Sequence, residues 1–357
     1  MRIRPAVAAT AALLAGLSGL AAPTGRGSAG APPAAGPAPS AEPPAGRRPL
    51  LRSRLSVQGP DSSILRGADG AEVVITYREG GRSRQLTYQP PDALEVTVEA
   101  SVKTVPDDPL NLVYSYQLAS SRASRQSAAD FVVGFRGPIG RVASPQGWEV
   151  KPLASTPALD WSSKTGLGAG NAATGFSFSA STMEQTDDLD SPAGGLPGFV
   201  HSRGALPGIV ECYAVGDAQP PAALTAASPP LSAILAALPR FPRNGVGGST
   251  VGPLEIPSGD DRVAALLGSM TEYVKTSLAL GWIERRETAD AYLRALDAIR
   301  RDWTAGQGKR SLTHLQLQAV ERQSAADWSA RRLTSEAYAL LNYNSYWLSH
   351  WLEEHEP

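Results

Sequence analysis

The stretch LTSEAYALLNYNSYWLSHW, residues 333–351, decides how the C-terminal part of this chain folds. Thr334 stands where an N-cap residue is expected, and Glu336 puts a negative charge in the first turn, where the helix dipole favours it. Leu333 can pack against Tyr338 across the same turn. Apolar residues then recur at intervals of three and four, which predicts an amphipathic helix. Its predicted buried stripe is Ala337, Leu340, Leu341, Asn344, Trp347, Leu348 and Trp351.

Three more helices are predicted before this one. The first is capped by Ser258 or Asp260 and ends near Gly281, the second covers about residues 288–305, and the third covers about residues 309–330. The residues predicted to be buried are Val263, Leu266, Leu267, Met270, Val274 and Leu278 in the first helix, Tyr292, Leu296, Ile299 and Trp303 in the second, and Leu312, Leu315 and Ala319 in the third.

Nearer the N-terminus, apolar residues alternate with polar ones, as they do in strands with one buried face. Residues 72–78 and 84–88 flank Glu79-Gly80-Gly81, which predicts a hairpin. Further strands are predicted over residues 94–104, 112–119, 128–135, 148–152, 158–162, 174–179 and 209–215. No amphipathic helix interrupts them, so the sheets should be antiparallel. The predicted fold class is α+β with segregated domains, an Ig-like β-sandwich over residues 68–216 and a four-helix bundle over residues 260–357.

Proline and glycine mark the turns and the linker. The steps Leu196-Pro-Gly198 and Leu206-Pro-Gly208 have the composition of type II turns, so both are predicted to be corners. Residues 217–259 are rich in Pro and Gly and are predicted to be a linker, within which Val251–Ile256 could add one edge strand. This break in composition predicts that the two domains fold independently.

The first 21 residues have the features of a secretory signal peptide. Arg2 and Arg4 form its positive start, an apolar run follows, and Gly19 and Ala21 are the small residues before the cleavage point. Residues 22–67 are predicted to be an Ala/Pro/Gly-rich disordered spacer and lead-in. The mature protein is therefore expected to be extracellular or periplasmic, with no integral membrane span after processing.

The C-terminal module resembles the FIMAH family of helical modules found on secreted bacterial proteins. The resemblance is carried by Gly281-Trp-Ile283, by the Leu293 to Trp303 helix, by the pattern Gln316-Leu-Gln-Ala-Val-Glu321 and above all by Leu333 to Asn344. It implies an extracellular accessory domain, and it brings no catalytic residues with it. The β-region is not similar to a family that we can name.

Charge and cysteine content exclude some classes of function. The formal net charge is -1, which gives no electrostatic reason to expect a nucleic acid partner. Cys212 is the only cysteine, so no intrachain disulfide can form, and its apolar surroundings predict a buried, inert thiol. No cofactor is predicted.

Four histidines are the possible catalytic bases, and the sequence assigns a catalytic role to none. They are His201, His314, His350 and His355. No Gly-x-Ser-x-Gly elbow accompanies them, and the pair His350 and Glu354 lacks a third ligand with zinc spacing. The acidic loop 186–192 and the pair Asp107-Asp108 have oxygen ligands that suit calcium but not a known calcium-loop spacing, which favours solvated loops. No metal site is assigned, and calcium binding by the loop stays open.

The aromatic residues Tyr343, Tyr346, Trp347 and Trp351 leave two interpretations. They form either a platform for sugars or a protein partner, or part of the bundle core, and the inward position of Trp347 and Trp351 favours the core. The predicted function is that of a secreted or cell-surface accessory protein with a non-catalytic binding role and a protein or glycan partner. The alternatives are a secreted hydrolase or carbohydrate-active protein with its site in the sandwich loops from Asp187 to His201, and a bundle that binds a second copy of itself.

Overall fold

Fourteen strands and then four helices make up the described part of the chain. The computed structural model describes residues 49–52, 56–58, 62–67, 72–105, 108–153, 156–183, 204–217, 245–259, 261–305 and 310–355, so the predicted signal peptide lies outside it. The strands are β1 (Leu51–Arg52), β2 (Ser56–Gln58), β3 (Ser62–Arg66), β4 (Val73–Glu79), β5 (Arg82–Tyr88), β6 (Val96–Val105), β7 (Asp108–Ser120), β8 (Ala128–Gly134), β9 (Val142–Ala143), β10 (Trp148–Pro152), β11 (Ala158–Leu167), β12 (Ala172–Ser181), β13 (Ala205–Gly216) and β14 (Val246–Glu255). The helices are α1 (Arg262–Leu280), α2 (Arg286–Thr304), α3 (Arg310–Ser329) and α4 (Ser335–Glu354).

The strands form three sheets, and every pairing between the described strands is antiparallel. The six-stranded sheet has the order β1-β14-β13-β8-β11-β10. A second sheet, which we call the core four-stranded sheet, has the order β6-β7-β12-β9, and the N-terminal sheet has the order β2-β3-β4-β5. Antiparallel sheets followed by C-terminal helices are the coarse fold class that the sequence predicts, and this prediction is confirmed.

Aromatic side chains join the six-stranded sheet to the core four-stranded sheet. The alternation along β7 and β12 buries one face of each strand, as predicted, with Tyr114, Tyr116, Leu118, Phe176 and Phe178 inside. The ring of Trp161 on β11 lies 5.8 Å from that of Phe176 and 6.3 Å from that of Phe178. The hydroxyl of Tyr116 donates a hydrogen bond to the carbonyl oxygen of Val251 at 2.9 Å. Aromatic packing of this kind contributes most of the burial in such a core.

The N-terminal sheet contains the predicted hairpin, and an ion pair between Arg66 and Asp92 links its strand β3 to the segment before β6. Gly80 and Gly81 join β4 to β5 with φ angles of 57° and 79°, which confirms the hairpin, because the tight turn requires positive φ at both positions. The guanidinium of Arg66 donates to Asp92 Oδ1 at 2.9 Å and contacts the other carboxylate oxygen. Strands β1 to β3 fall within residues 22–67, so part of the predicted lead-in belongs to the sheets.

Two prolines face each other in the pair formed by β13 and β14. Pro207 lies opposite Pro253 inside the ladder, so the second predicted Pro-Gly turn is wrong, while the first lies outside the described residues. Proline has no N–H to donate to a ladder, and both carbonyl oxygens bond outside the pair. The side-chain amide of Asn344 donates to Pro207 at 2.9 Å, and the backbone N–H of Arg136 donates to Pro253 at 2.8 Å.

Strand β14 lies within the predicted linker 217–259, so this part of the linker belongs to the six-stranded sheet.

The helix bounds follow the predicted ones closely, but the N-cap residues of α1 and α4 make no side-chain capping hydrogen bond. Gly281 ends α1 with a φ of 77°, as its position predicted. Thr334 occupies the N-cap position of α4, as predicted, but its hydroxyl makes no capping hydrogen bond with the described residues. The N-cap of α1 is Asp261, one residue after Asp260, and it also makes no side-chain cap bond.

Helix α3 buries a different face from the predicted one. Leu312 and Leu315 are 43% and 57% exposed, and Ala319 is exposed as well. The buried residues are instead Thr313, Leu317, Val320, Ser324 and Asp327. The buried Asp327 carboxylate accepts a hydrogen bond from the Tyr292 hydroxyl at 2.6 Å. Since buried polar groups persist where they are hydrogen-bonded, polar partners determine the orientation of this helix.

Helix α4 packs against edge strand β6 of the core four-stranded sheet and against the inner strands β13 and β14 of the six-stranded sheet. Along edge strand β6, the Glu336 carboxylate accepts from the Ala100 N–H at 2.7 Å, and the Tyr343 hydroxyl donates to the Val102 carbonyl at 3.0 Å. These side chains bond backbone groups that a neighbouring strand would otherwise pair. The four helices and the two larger sheets share one hydrophobic core. Independent folding of the two parts remains a prediction from the sequence.

Candidate functional site

The candidates near the sandwich loops lie mostly outside the described residues. These are His201, Asp107 and the acidic loop 186–192 with Asp187, Asp188 and Asp190. Asp108 is described, and its carboxylate accepts from the Leu110 N–H at 3.3 Å and contacts the side-chain amide of Asn111. Asp108 therefore stabilises the start of β7.

His314 lies beside Ser349, but the hydrogen bonds exclude a Ser/His nucleophile at this position. Its Nδ1 is 3.0 Å from the Ser349 carbonyl oxygen and 3.0 Å from the Ser349 hydroxyl. A carbonyl oxygen only accepts, so Nδ1 carries the proton. The other nitrogen, Nε2, then accepts from the Gln318 amide at 2.9 Å. Both nitrogens are occupied, and neither can remove the Ser349 proton as a triad histidine does.

His350 and His355 lie on the exposed C-terminal turns of α4. His350 Nε2 is 3.4 Å from Glu354 and Nδ1 is 3.8 Å from Glu353. The His355 ring stacks on Trp351 at a centroid distance of 4.4 Å. Among the described residues, no group of three or more His, Cys, Asp or Glu side chains is arranged to hold a metal ion.

The four candidate aromatic residues have different environments. Tyr343, Trp347 and Trp351 are partly buried and pack against the core. The guanidinium carbon of Arg262 lies over the Trp351 ring, 5.6 Å from its centroid. Tyr346 is 47% exposed, and its ring lies nearly parallel to that of His350. Of the four, Tyr346 is therefore the residue whose ring is available to a ligand.

Tyr346 lines an open cleft between α3 and α4, which we call the helix cleft. The cleft has a volume of about 300 Å³, and the other lining residues are His314, Gln318, Glu321, Arg322, Ser349, His350 and Glu353. Partial burial raises the pKa of the Glu321 carboxyl, while Arg322 beside it acts in the opposite direction. The walls combine hydrogen-bond donors and acceptors with one exposed aromatic ring.

Tyr346, His314 and His350 are candidates from the sequence, whereas the polar wall on α3 was not predicted. Gln318 lies one helical turn after His314, and Glu321 and Arg322 follow at the next turn. This spacing places them on one helix face. With Leu312 and Leu315 predicted to be buried, α3 has a different orientation, and the shared face of these polar residues was not recognised.

Two neighbouring carboxylates in the six-stranded sheet were not anticipated. Burial, and then Asp160, raise the pKa of Asp130 to about 6. Asp160 is 2% exposed, its Oδ2 lies 3.5 Å from the Lys151 ammonium, and its Oδ1 has no hydrogen-bond partner among the described residues. Perturbed carboxylates often mark active sites. Here the burial of Asp160 prevents contact with a substrate, so the pair bears on stability.

Cys212 is buried, as predicted. Burial, followed by the nearby carboxylates of Glu211 and Glu336, raises the pKa of its thiol to about 12. A thiol with so high a pKa carries almost no thiolate at neutral pH, and the thiolate is the reactive form.

Comparison with known proteins gives no relative from which a role could be transferred. No protein-family model, curated protein or solved structure matches the chain. Among the described residues, none of the helices combines the length and the apolar character that a membrane span requires.

Proposed function

We propose that this protein is a secreted, non-catalytic binding protein that takes a glycan in the helix cleft. The observation that carries the proposal is the exposed ring of Tyr346 in a cleft with polar walls. A sugar ring has an apolar C–H face and a rim of hydroxyls. An aromatic ring flanked by donors and acceptors complements both.

The size and composition of the helix cleft support a ligand of this class. A volume of about 300 Å³ lies at the lower end of the range for small-molecule sites, roughly 300–1,000 Å³, and suits one or two sugar rings. Arg322 supplies hydrogen-bond donors, and Glu321 and Glu353 supply acceptors. A sugar hydroxyl can therefore form a hydrogen bond here either as a donor or as an acceptor. The occupied nitrogens of His314 favour binding over hydrolysis at this cleft.

The architecture that we propose around this site follows the sequence predictions. The aromatic contacts between the two larger sheets support an Ig-like β-sandwich, and the antiparallel contacts of α3 and α4 support a helical bundle. Gly281-Trp-Ile283 lies next to the start of α4, because Ile283 forms a β-bridge with Leu333. Two segments that carry the FIMAH resemblance thus meet in space, which favours an accessory module on an exported protein.

The test is retention of the purified chain on insoluble polysaccharides, namely chitin, cellulose and peptidoglycan. We expect retention on at least one, and a loss of about twofold to tenfold in affinity in Tyr346→Ala, since an aromatic stacking contact contributes roughly 0.5–1.5 kcal/mol. Trp328→Ala is the matched control, because Trp328 is also 47% exposed and lies outside the helix cleft. Equal losses in the two variants, or no retention of the wild type, would reject the proposal.

A further inference from the structure

Helix α3 carries an apolar stripe on its outer face. Leu312 is 43% exposed and Leu315 is 57% exposed, and Ala319 and Ala326 are exposed as well. The intervals between these residues are three, four and seven, which places them along one side of a helix. The sequence predicts that the first three are buried, and a partner on this face would bury them.

Charged residues are scarce around this outer stripe. Among the exposed residues from Ser311 to Ser329, Arg322 is the only charged one, and the others are Ser, Leu, Ala, Gln and Trp. The neighbouring helix α2 differs, because most of its exposed residues are charged, namely Arg286, Glu287, Arg294, Asp297, Arg300 and Arg301. Depletion of charge distinguishes the core of a protein interface from the rest of a surface. The outer face of α3 therefore has the composition of an interface.

The outer stripe is complementary to itself when two copies of α3 run antiparallel. Its large side chains, Leu312 and Leu315, lie in the first half of the helix, and its small ones, Ala326 and Ser329, lie in the second half. In an antiparallel pair centred on the middle of the stripe, each leucine of one copy faces a small residue of the other. Large side chains then fill the space that small ones leave. A parallel pair would instead crowd the leucines at one end and leave gaps at the other.

From these features we infer that the outer face of α3 binds a second copy of this chain, antiparallel across a twofold axis. A twofold axis makes every contact occur twice, as in the closed dimers that most homo-oligomers form. From Leu312 to Ser329 the stripe is about 26 Å long, and a helix face is roughly 10 Å wide. Two copies thus bring together roughly 500 Å² of helix face, which is less than the roughly 1,200–2,000 Å² of a stable interface. The dimer is therefore weak, with a Kd of roughly 10–100 µM.

The charge of Arg322 is compatible with this contact. Arg322 lies at the middle of the outer stripe, so the methylene groups of its side chain pack on Ala319 of the second copy while its guanidinium stays in water. The charge of Arg322 lowers the pKa of the Glu321 carboxyl, against the larger effect of burial. The Glu321 carboxylate therefore partly offsets the positive charge within each copy.

The first test is sedimentation of the full chain at concentrations from about 5 to 500 µM. We expect the average mass to rise from that of one chain toward that of two. Leu315→Glu should stay at the mass of one chain throughout, because an unpaired charge is unfavourable inside an interface. Leu65→Glu is the matched control, since Leu65 is 45% exposed on β3, and it should dimerise like the wild type. A single-chain mass for the wild type at about 500 µM, or unchanged dimerisation of Leu315→Glu, would overturn the inference.

Disulfide cross-linking tests the antiparallel arrangement. Cys212 is the only cysteine of the chain and is buried, so new cysteines on α3 report on this face alone. A mixture of Leu315→Cys and Ala326→Cys should cross-link between the two variants, because only facing residues bring their Cα atoms close enough for a disulfide. Each variant alone should cross-link far less. Leu315→Cys chains that cross-link to one another as readily would show a parallel pair and would contradict the inference.

These tests are separate from the test of the glycan site. Leu315 and Ala326 are not among the residues that line the helix cleft. Tyr346→Ala should therefore dimerise like the wild type, whatever it loses on polysaccharides. A dimer that is not retained on any polysaccharide would contradict the proposed glycan site only, and a retained monomer would contradict the dimer only.

Discussion

At the scale of single residues, Asp130 makes stability depend on pH. Its pKa is raised to about 6, first by burial and then by Asp160. The folded chain therefore holds this proton more tightly than the unfolded chain does. The stability that protonation contributes is fully present below about pH 4, the unfolded pKa, and is lost as the pH rises through about 6.

Asp130→Asn should remove this dependence. We expect the variant to gain stability relative to the wild type at pH 7.5 and to gain less at pH 4, because only the ionised carboxylate is unfavourable. Urea denaturation at the two pH values measures the difference. Asp297→Asn, which changes a half-exposed carboxylate on α2, is the control and should differ little between the two pH values. A larger gain at pH 4 than at pH 7.5 would contradict the argument.

Single residues also show where prediction from the sequence succeeded and where it failed. Gly80, Gly81 and Gly281 were predicted correctly because a positive φ is a local requirement that glycine meets. Pro207 was predicted wrongly, since a turn residue can lie in a strand whose carbonyl oxygen bonds to a distant helix. That helix residue, Asn344, is 137 positions away, and no local pattern encodes such a partner.

At the scale of elements, α4 covers an edge strand through side-chain hydrogen bonds. Glu336→Ala should leave the buried Ala100 N–H without its acceptor, at a cost of about 1–3 kcal/mol in the free energy of unfolding. Glu336→Gln keeps a carbonyl oxygen at that position and should cost less. Chemical denaturation of both variants at pH 7 tests this. Similar losses in the two variants would show that the charge of Glu336, and not its acceptor, stabilises the contact.

The elements differ in how well the sequence predicted them. The bounds of α1 and α4 followed from periodicity, because apolar residues form their buried stripes. The predicted orientation of α3 was wrong, because Asp327 and Ser324 are buried and have hydrogen-bond partners on other helices. The Ser324 hydroxyl accepts from the Asn342 amide at 3.1 Å. The helix cleft could not be assembled from sequence for the same reason, since its wall depends on that rotation.

At the scale of the whole molecule, the shared core predicts cooperative unfolding. Helix α4 bonds to β6 and to β13, and the helices and two larger sheets form one hydrophobic cluster. We expect one calorimetric transition, with a calorimetric enthalpy equal to the van't Hoff enthalpy. Two separate transitions would support the independent folding that the composition of residues 217–259 predicts.

The contact between Ala100 and Glu336 also has a consequence for biosynthesis. The two residues are 236 positions apart. At roughly 5–20 residues per second, the ribosome needs roughly 10–50 s to make the segment between them. During that interval β6 has no helix over its outer edge, and open strand edges pair readily with other chains. We therefore expect the outer edge of β6 to be open to pairing with other chains until the last helix has been made.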